Sequence, residues 1–159
     1  MKPSKSFILA NTFALFVASI AHSADPADFG GFILGSTLEE AQNHAIAQKW
    51  ILAPMSENLP GSWIVEGTML SLYICNGVVT SVSEVLAGDF EQFTELVFSM
   101  QIKFGQPNIQ ILSLPSVFGD ISTIDVEFDL EGERAFVQLQ SIGGKRTFST
   151  SRQIEIDCR

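Results

Sequence analysis

Apolar and polar positions along this chain recur with two periods, and each change of period marks an element. From Asp89 to Phe104 the period is helical: Phe90, Phe93, Val97, Met100 and Phe104 return every three or four residues, with Leu96 beside them. Asp89 supplies an N-cap and Gln92, three residues on, closes a capping box. Gly105 ends the helix and Pro107 prevents its return. Phe98 and Ile102 fall off the stripe, near Glu91 and Glu95; the expectation is a wide buried face, with a partner-binding ridge as the alternative. After Pro115 the period becomes two. Ile124, Val126, Phe128 and Leu130 alternate with Asp125, Glu127, Asp129 and Glu131, which predicts a strand with one apolar and one acidic face. Gly132 lies in a turn, and Ala135, Val137 and Leu139 return on the next strand with Phe136 on the opposite face. Gly143-Gly144 makes a further turn. A last strand begins near Thr147 and ends with Ile154, Ile156 and Cys158 on one face and Glu155 and Asp157 on the other.

The first half reads in the same way. A short strand is expected at Phe32–Leu34 and a helix over Ser36 to Lys49, capped by Ser36 with Glu39 three residues later. Residues 53 to 62 carry Pro54, Pro60 and Gly61 and read as a loop. Trp63–Glu66 and Met69–Cys75 read as strands. Asn76-Gly77 between two β-rich runs is a hairpin signal, and a two-residue turn pairs Cys75 with Val78, Tyr73 with Thr80 and Ser71 with Val82. Leu70, Leu72, Ile74 and Val79 take the other face, so both faces are partly apolar and the hairpin belongs in the interior of its sheet. The order of helix, three strands, helix, then three or four strands predicts an α+β fold: an antiparallel sheet with two helices packed on one face, open to description as a duplicated α-β-β-β unit.

The N-terminus changes where this fold is placed. Lys2 and Lys5 precede an apolar run from Phe7 to Ile20, and small residues follow at Ala21, Ser23 and Ala24. This is the layout of a secretory signal peptide, too short to span a bilayer, with cleavage between residues 21 and 24. Residues 1–23 are therefore read as removed and 24–159 as one domain, periplasmic or secreted, with no membrane span in the mature chain. Of the nine basic residues two leave with the signal, while all eighteen acidic residues stay, so seven minus eighteen leaves −11 on the mature chain. That argues against nucleic acid and anionic membranes and permits a cationic partner. In an oxidising compartment the two cysteines, Cys75 and Cys158, are read as a disulfide.

The run Leu34-Gly35-Ser36-Thr37-Leu38-Glu39-Glu40-Ala41 resembles the opening of the first helix in β-lactamase-inhibitor-protein-like and outer-membrane-assembly small-lipoprotein modules. The resemblance covers eight residues and implies a small exported α+β domain that binds other proteins; it assigns a role to no residue.

The chemistry on offer is sparse. His22 leaves with the signal and His44 is then the single imidazole, on a helix flank. No Gly-x-Ser-x-Gly nucleophile elbow occurs, a Cys-His pair conflicts with the disulfide, and a histidine-rich zinc site fails on count. Gly30-Gly31 and Gly143-Gly144 lack the context of a phosphate loop. Asp125 and Glu127 could serve a glycoside hydrolase, but a general acid needs burial or a close like charge, and a strand face supplies neither. Alternate strand positions lie about 6–7 Å apart, too far to converge on one calcium ion. What remains is docking. Asp125, Glu127, Asp129 and Glu131, with Arg134 at the turn, form the candidate partner-binding face, and the expected partner is a basic protein. No catalytic residue, metal or cofactor is assigned. The expected function is a non-enzymatic, exported protein-binding module, of the inhibitor or immunity type, acting on a basic cell-envelope enzyme. A small-ligand or lipid carrier with a cavity lined by Phe93, Phe98, Phe128 and Phe136 is the second expectation, and a carboxylate hydrolase the third.

Overall fold

The computed structural model describes residues 28–117 and 119–158. The signal segment and its cleavage position lie outside the described residues. The elements run α1 (Leu38–Ala47), β1 (Ile51–Pro54), β2 (Ser62–Glu66), β3 (Leu70–Cys75), β4 (Val78–Leu86), α2 (Phe90–Phe104), β5 (Asn108–Leu114), β6 (Ile121–Leu130), β7 (Glu133–Ile142) and β8 (Lys145–Gln153). The eight strands form one sheet in the order β1-β2-β3-β4-β8-β7-β6-β5, antiparallel throughout. The fold is α+β, and its repeat is one strand longer than expected. Each half is a helix followed by a four-stranded meander, and the halves meet through their last strands, β4 and β8.

Register decides which residues share a face, because opposed residues in an antiparallel pair point the same way. Pro54, Trp63, Leu72 and Val82 line up across the first half, and Arg152, Ala135 and Phe128 continue the line across the second; Leu52 and Val65 pair on the same face, two residues along their strands. Both core clusters draw on this face. One gathers Ala41 and Ala45 of α1 with Phe29, Phe32, Val65, Leu72 and Val82; the other gathers Phe93 and Met100 of α2 with Val126, Phe128, Val137 and Phe148. Both helices therefore cover the same side of the sheet. Between the clusters, Glu84, Thr150 and Arg152 occupy the helix face of the β4–β8 seam, and Arg152 pairs with Glu133.

Local chemistry sets the boundaries. Asp89 caps α2 as expected, accepting from the backbone of Glu91 at 3.1 Å and Gln92 at 3.2 Å, while Gln92 Oε1 accepts from the Asp89 N–H at 2.9 Å. The α1 cap is Thr37, not Ser36. Glu40 donates its backbone N–H to Thr37 Oγ1 at 3.2 Å, and its carboxylate accepts from the Thr37 N–H at 2.7 Å. Ser36 is drawn the other way, because Gly35 and Ser36 exchange backbone bonds of 2.8 Å with Val79. No strand forms at Phe32–Leu34. Asn76 and Gly77 take positive φ, as a tight hairpin turn requires, and Cys75 does pair with Val78. Beyond that pair a bulge at Thr80 displaces the register by one: Tyr73 meets Ser81 and Ser71 meets Ser83. The Thr80 hydroxyl donates to the Tyr73 carbonyl at 3.2 Å across the irregularity.

Phe98 and Ile102 are not part of a wide buried face. They stand 63% and 73% exposed on the solvent side of α2. The last strand also ends early, at Gln153; Ile154 to Cys158 form an irregular tail rather than strand.

Two stability measurements follow. Phe128, 1% exposed beneath α2, is expected to cost about 3–5 kcal/mol when replaced by alanine, and Thr37→Ala about 1 kcal/mol, both read by denaturant unfolding. The Glu40 carboxyl is held below its ordinary value of 4.5, first by the Thr37 backbone N–H and then by the Thr37 hydroxyl. A carboxylate depressed on folding contributes above its unfolded value, and that contribution is lost as pH falls through the folded value. Acidification below pH 4.5 is thus expected to lower the amide-exchange protection of the first turn of α1, taken relative to the intrinsic rate at each pH, and Glu40→Gln is expected to remove that acid-dependent part.

Candidate binding face

With both helices on one side, the other side of the sheet is left open. Its residues follow from the same register. Ile64, Ser71 and Ser83 share this face, as do Ser62, Tyr73 and Ser81. In the second half Ser151, Phe136, Glu127 and Asn108 lie in one row, and Ser149, Gln138, Asp125 and Gln110 in the next. Hydroxyls and amides dominate. Phe136 is the aromatic ring at the centre, and the acids sit towards the β5 edge.

The face is hollow. A depression of about 450 Å³ is lined by Ser83 of β4, Ser149, Ser151 and Gln153 of β8, Phe136 and Gln138 of β7, Asp125 and Glu127 of β6, and Asn108 and Gln110 of β5. The hollow crosses five strands of the open face, from β4 to β5. A second hollow, of about 600 Å³, adjoins it at Gln153 and is bounded by Arg134, Tyr73, Thr80, Ser81 and the tail from Ile154 to Cys158.

The tail is tied down along its length. Ile154 donates its N–H to the Thr80 carbonyl at 2.9 Å, the Asn76 amide donates to the Asp157 carbonyl at 3.2 Å, and Cys158 is disulfide-bonded to Cys75 with the Cα atoms 5.6 Å apart. Cys75 is the last residue of β3 on the open face, so the disulfide carries the end of the chain back across that face. The bond fits an oxidising compartment outside the cytoplasm. Among the described residues no helix is long and apolar enough to cross a membrane.

The expected acidic stripe is brought together only in part. Asp125, Glu127 and Asp129 share the open face; Glu131 belongs to the turn that follows, with Gly132, and is exposed there. Two of the acids are engaged rather than bare. The Asp125 carboxylate accepts from Gln138 Nε2 at 2.5 Å and from the Thr123 hydroxyl at 3.0 Å. Glu127 is paired with Arg134 at 3.1 Å. Arg134 also reaches Glu155 of the tail at 2.7 Å, and its guanidinium lies 5.9 Å from the centre of the Phe136 ring. Arg134 thus couples the acidic strand, the central aromatic and the tail, a placement that depends on register rather than on the turn beside it.

The other candidate groups are dispersed. His44 Nε2 lies 2.7 Å from the Gly30 carbonyl and its ring packs on Phe32 at 4.8 Å, on the helix side, with the whole sheet between it and the carboxylates. The four rings expected to line a carrier cavity do not converge. Phe93 and Phe128 are core, Phe98 is on the outer surface of α2, and Phe136 is on the opposite face of the sheet. Among the described residues no group of three or more His, Cys, Asp or Glu side chains could hold a metal ion. Comparison with protein-family models, curated protein sequences and solved structures finds no match to this chain.

The tail's seat has a measurable consequence. The disulfide closes 83 residues of chain, and Cys75→Ser with Cys158→Ser is expected to lower stability by about 2–4 kcal/mol in denaturant unfolding. In the same variant, amide exchange is expected to rise most at Ile154–Asp157, where the tail loses its anchor.

Proposed function

We propose that this chain is an exported, non-enzymatic protein-binding domain that takes its partner on the open face of the sheet. The observation that carries this reading is the one-sidedness of the fold. Both helices and both cores occupy one face, while the other presents a hollow of hydroxyls, amides and carboxylates around Phe136. Such a surface suits recognition. A non-obligate interface is about as polar as ordinary surface, and its affinity comes from a few aromatic and arginine anchors. Tyr73, Phe136 and Arg134 stand on this face as anchors of that kind.

Charge indicates the partner. The chain carries a net −9, and the exposed Asp129, Glu131 and Glu155 surround the end of the sheet where Arg134 lies. A cationic protein is steered towards this rim, and the steering weakens with salt. Periplasmic or secreted proteins with basic surfaces include enzymes of the cell envelope, and an inhibitor or immunity-type protein against such an enzyme fits the size, the acidity and the disulfide.

The test is capture of a partner from periplasmic and secreted fractions by the oxidised protein, followed by affinity measurement with two variants. Phe136→Ala is expected to weaken binding by about ten-fold or more through loss of a central contact. Replacement of Asp129 and Glu131 by lysine is expected to slow association and to abolish most of its salt dependence. A partner that binds both variants as tightly as the native protein would contradict the reading.

A further inference from the structure

The two edges of the sheet are treated differently, although the two halves share one plan. At one edge, β1 has four residues and ends in Pro54, which has no N–H to offer a neighbour. An edge shortened in this way resists pairing with another chain. At the other edge, β5 has seven residues, Asn108–Leu114, every one of them exposed. It contains no proline and no charge, and it lies inside a charge-free run from Phe104 to Gly119. Among the described residues none of the devices that blunt an edge lies within the strand, Pro107 and Pro115 falling just outside it, and its outward N–H and C=O groups form a row that another strand can match.

We infer that β5 is a self-association edge, and that two copies of this chain pair β5 to β5 in antiparallel fashion to form a closed dimer with one continuous sheet. The occupant is a second copy because the edge matches itself. Full overlap of two antiparallel β5 strands places the two-fold axis at Ile111. Ile111 then faces its own counterpart, Ile109 faces Ser113, and Gln110 faces Leu112, with no charged residue in any pair. Ile111 is 72% exposed, so this contact removes apolar surface that the single chain leaves in water.

Charge points the same way. Two copies of an acidic chain repel, and an uncharged edge lets them meet without opposing carboxylates. The nearest acids on the open face, Asp125 and Glu127, are one strand further in. Across the pair they are separated from their counterparts by three strand spacings of about 4.8 Å, beyond the screening length of about 8 Å at physiological salt. Asp125 is also bonded to Gln138 and Glu127 to Arg134. The blunted β1 edge stops growth at two copies, because no second pairing edge remains to extend the sheet. The axis is perpendicular to the sheet, so the two open faces lie on the same side. The inference holds whichever partner those faces take.

Sedimentation velocity of the oxidised full chain over a concentration series tests it. The native protein is expected to show a monomer–dimer equilibrium with no larger species. Ile111→Lys and Ile111→Glu are each expected to weaken the dimer by about ten-fold or more, since each sets like charges directly opposite across the axis. An equimolar mixture of the two is expected to restore it as a heterodimer, which a folding defect could not do. Unchanged far-ultraviolet circular dichroism, and an unchanged melting temperature at concentrations where native protein and variants are all monomeric, complete the test. A native protein that stays monomeric at every concentration would overturn the inference. So would a dimer indifferent to both substitutions, which would place the contact elsewhere, or an open-ended series of larger assemblies.

Discussion

The antiparallel pairing of β4 with β8 is the contact on which the rest of the structure depends. It joins two meanders that each carry a separate apolar cluster, and the polar seam of Glu84, Thr150 and Arg152 keeps those clusters apart on the helix side. Without the pairing, each half would be a four-stranded sheet covered by one helix, with a new edge exposed at β4 or β8. With it, the edges move out to β1 and β5, and the open face becomes wide enough to hold a hollow that reaches from β4 to β5. The same seam brings the end of β8 beside β4, from where the tail can cross to Cys75.

Burial on one side only creates a surface with two demands. It must stay soluble, and it must keep its shape without a covering layer. Serine and glutamine at alternate positions of β7 and β8 meet the first demand. Cross-strand pairs meet the second: Gln138 on Asp125, Arg134 on Glu127 and Glu155, and the disulfide over the tail. These contacts rigidify the acids that would otherwise stand as a row of like charges, so the face is pre-organised for a partner instead of merely charged.

Much of this fold was legible in the sequence where burial imposes a period. α2 with its Asp89 cap, the inward faces of β6 and β7, the Asn76-Gly77 hairpin and the Cys75–Cys158 bond all follow from local rules. The failures have physical causes. β1 and β5 are not legible because edge strands need not alternate; β1 carries Pro54, and β5 is exposed on both faces. The bulge at Thr80 is invisible to counting back from a turn, which assumes one residue against one. Ser36 with Glu39 and Thr37 with Glu40 satisfy the same capping rule, and only the pairing of Ser36 with Val79 chooses between them. At the candidate face, the acidic alternation marked Asp125, Glu127 and Asp129, but the roles of Phe136, Gln138 and Arg134 depend on which residue of the next strand stands opposite. Glu131 continues the alternation in sequence but belongs to the turn. Phe98 and Ile102, the two positions off the stripe, were better guides to exposure than their hydrophobicity.

The central claim is that partners are met on the open face and not on the helix side. Site-specific photo-crosslinking tests it most directly, with the reactive group placed at Ser149 in the hollow or at Glu95 on the outer surface of α2, in cells that make the protein in its oxidised form. The account predicts adducts of defined mass from Ser149 and none from Glu95. Adducts from Glu95 alone would contradict it, and would move recognition to the helix surface that carries Phe98 and Ile102.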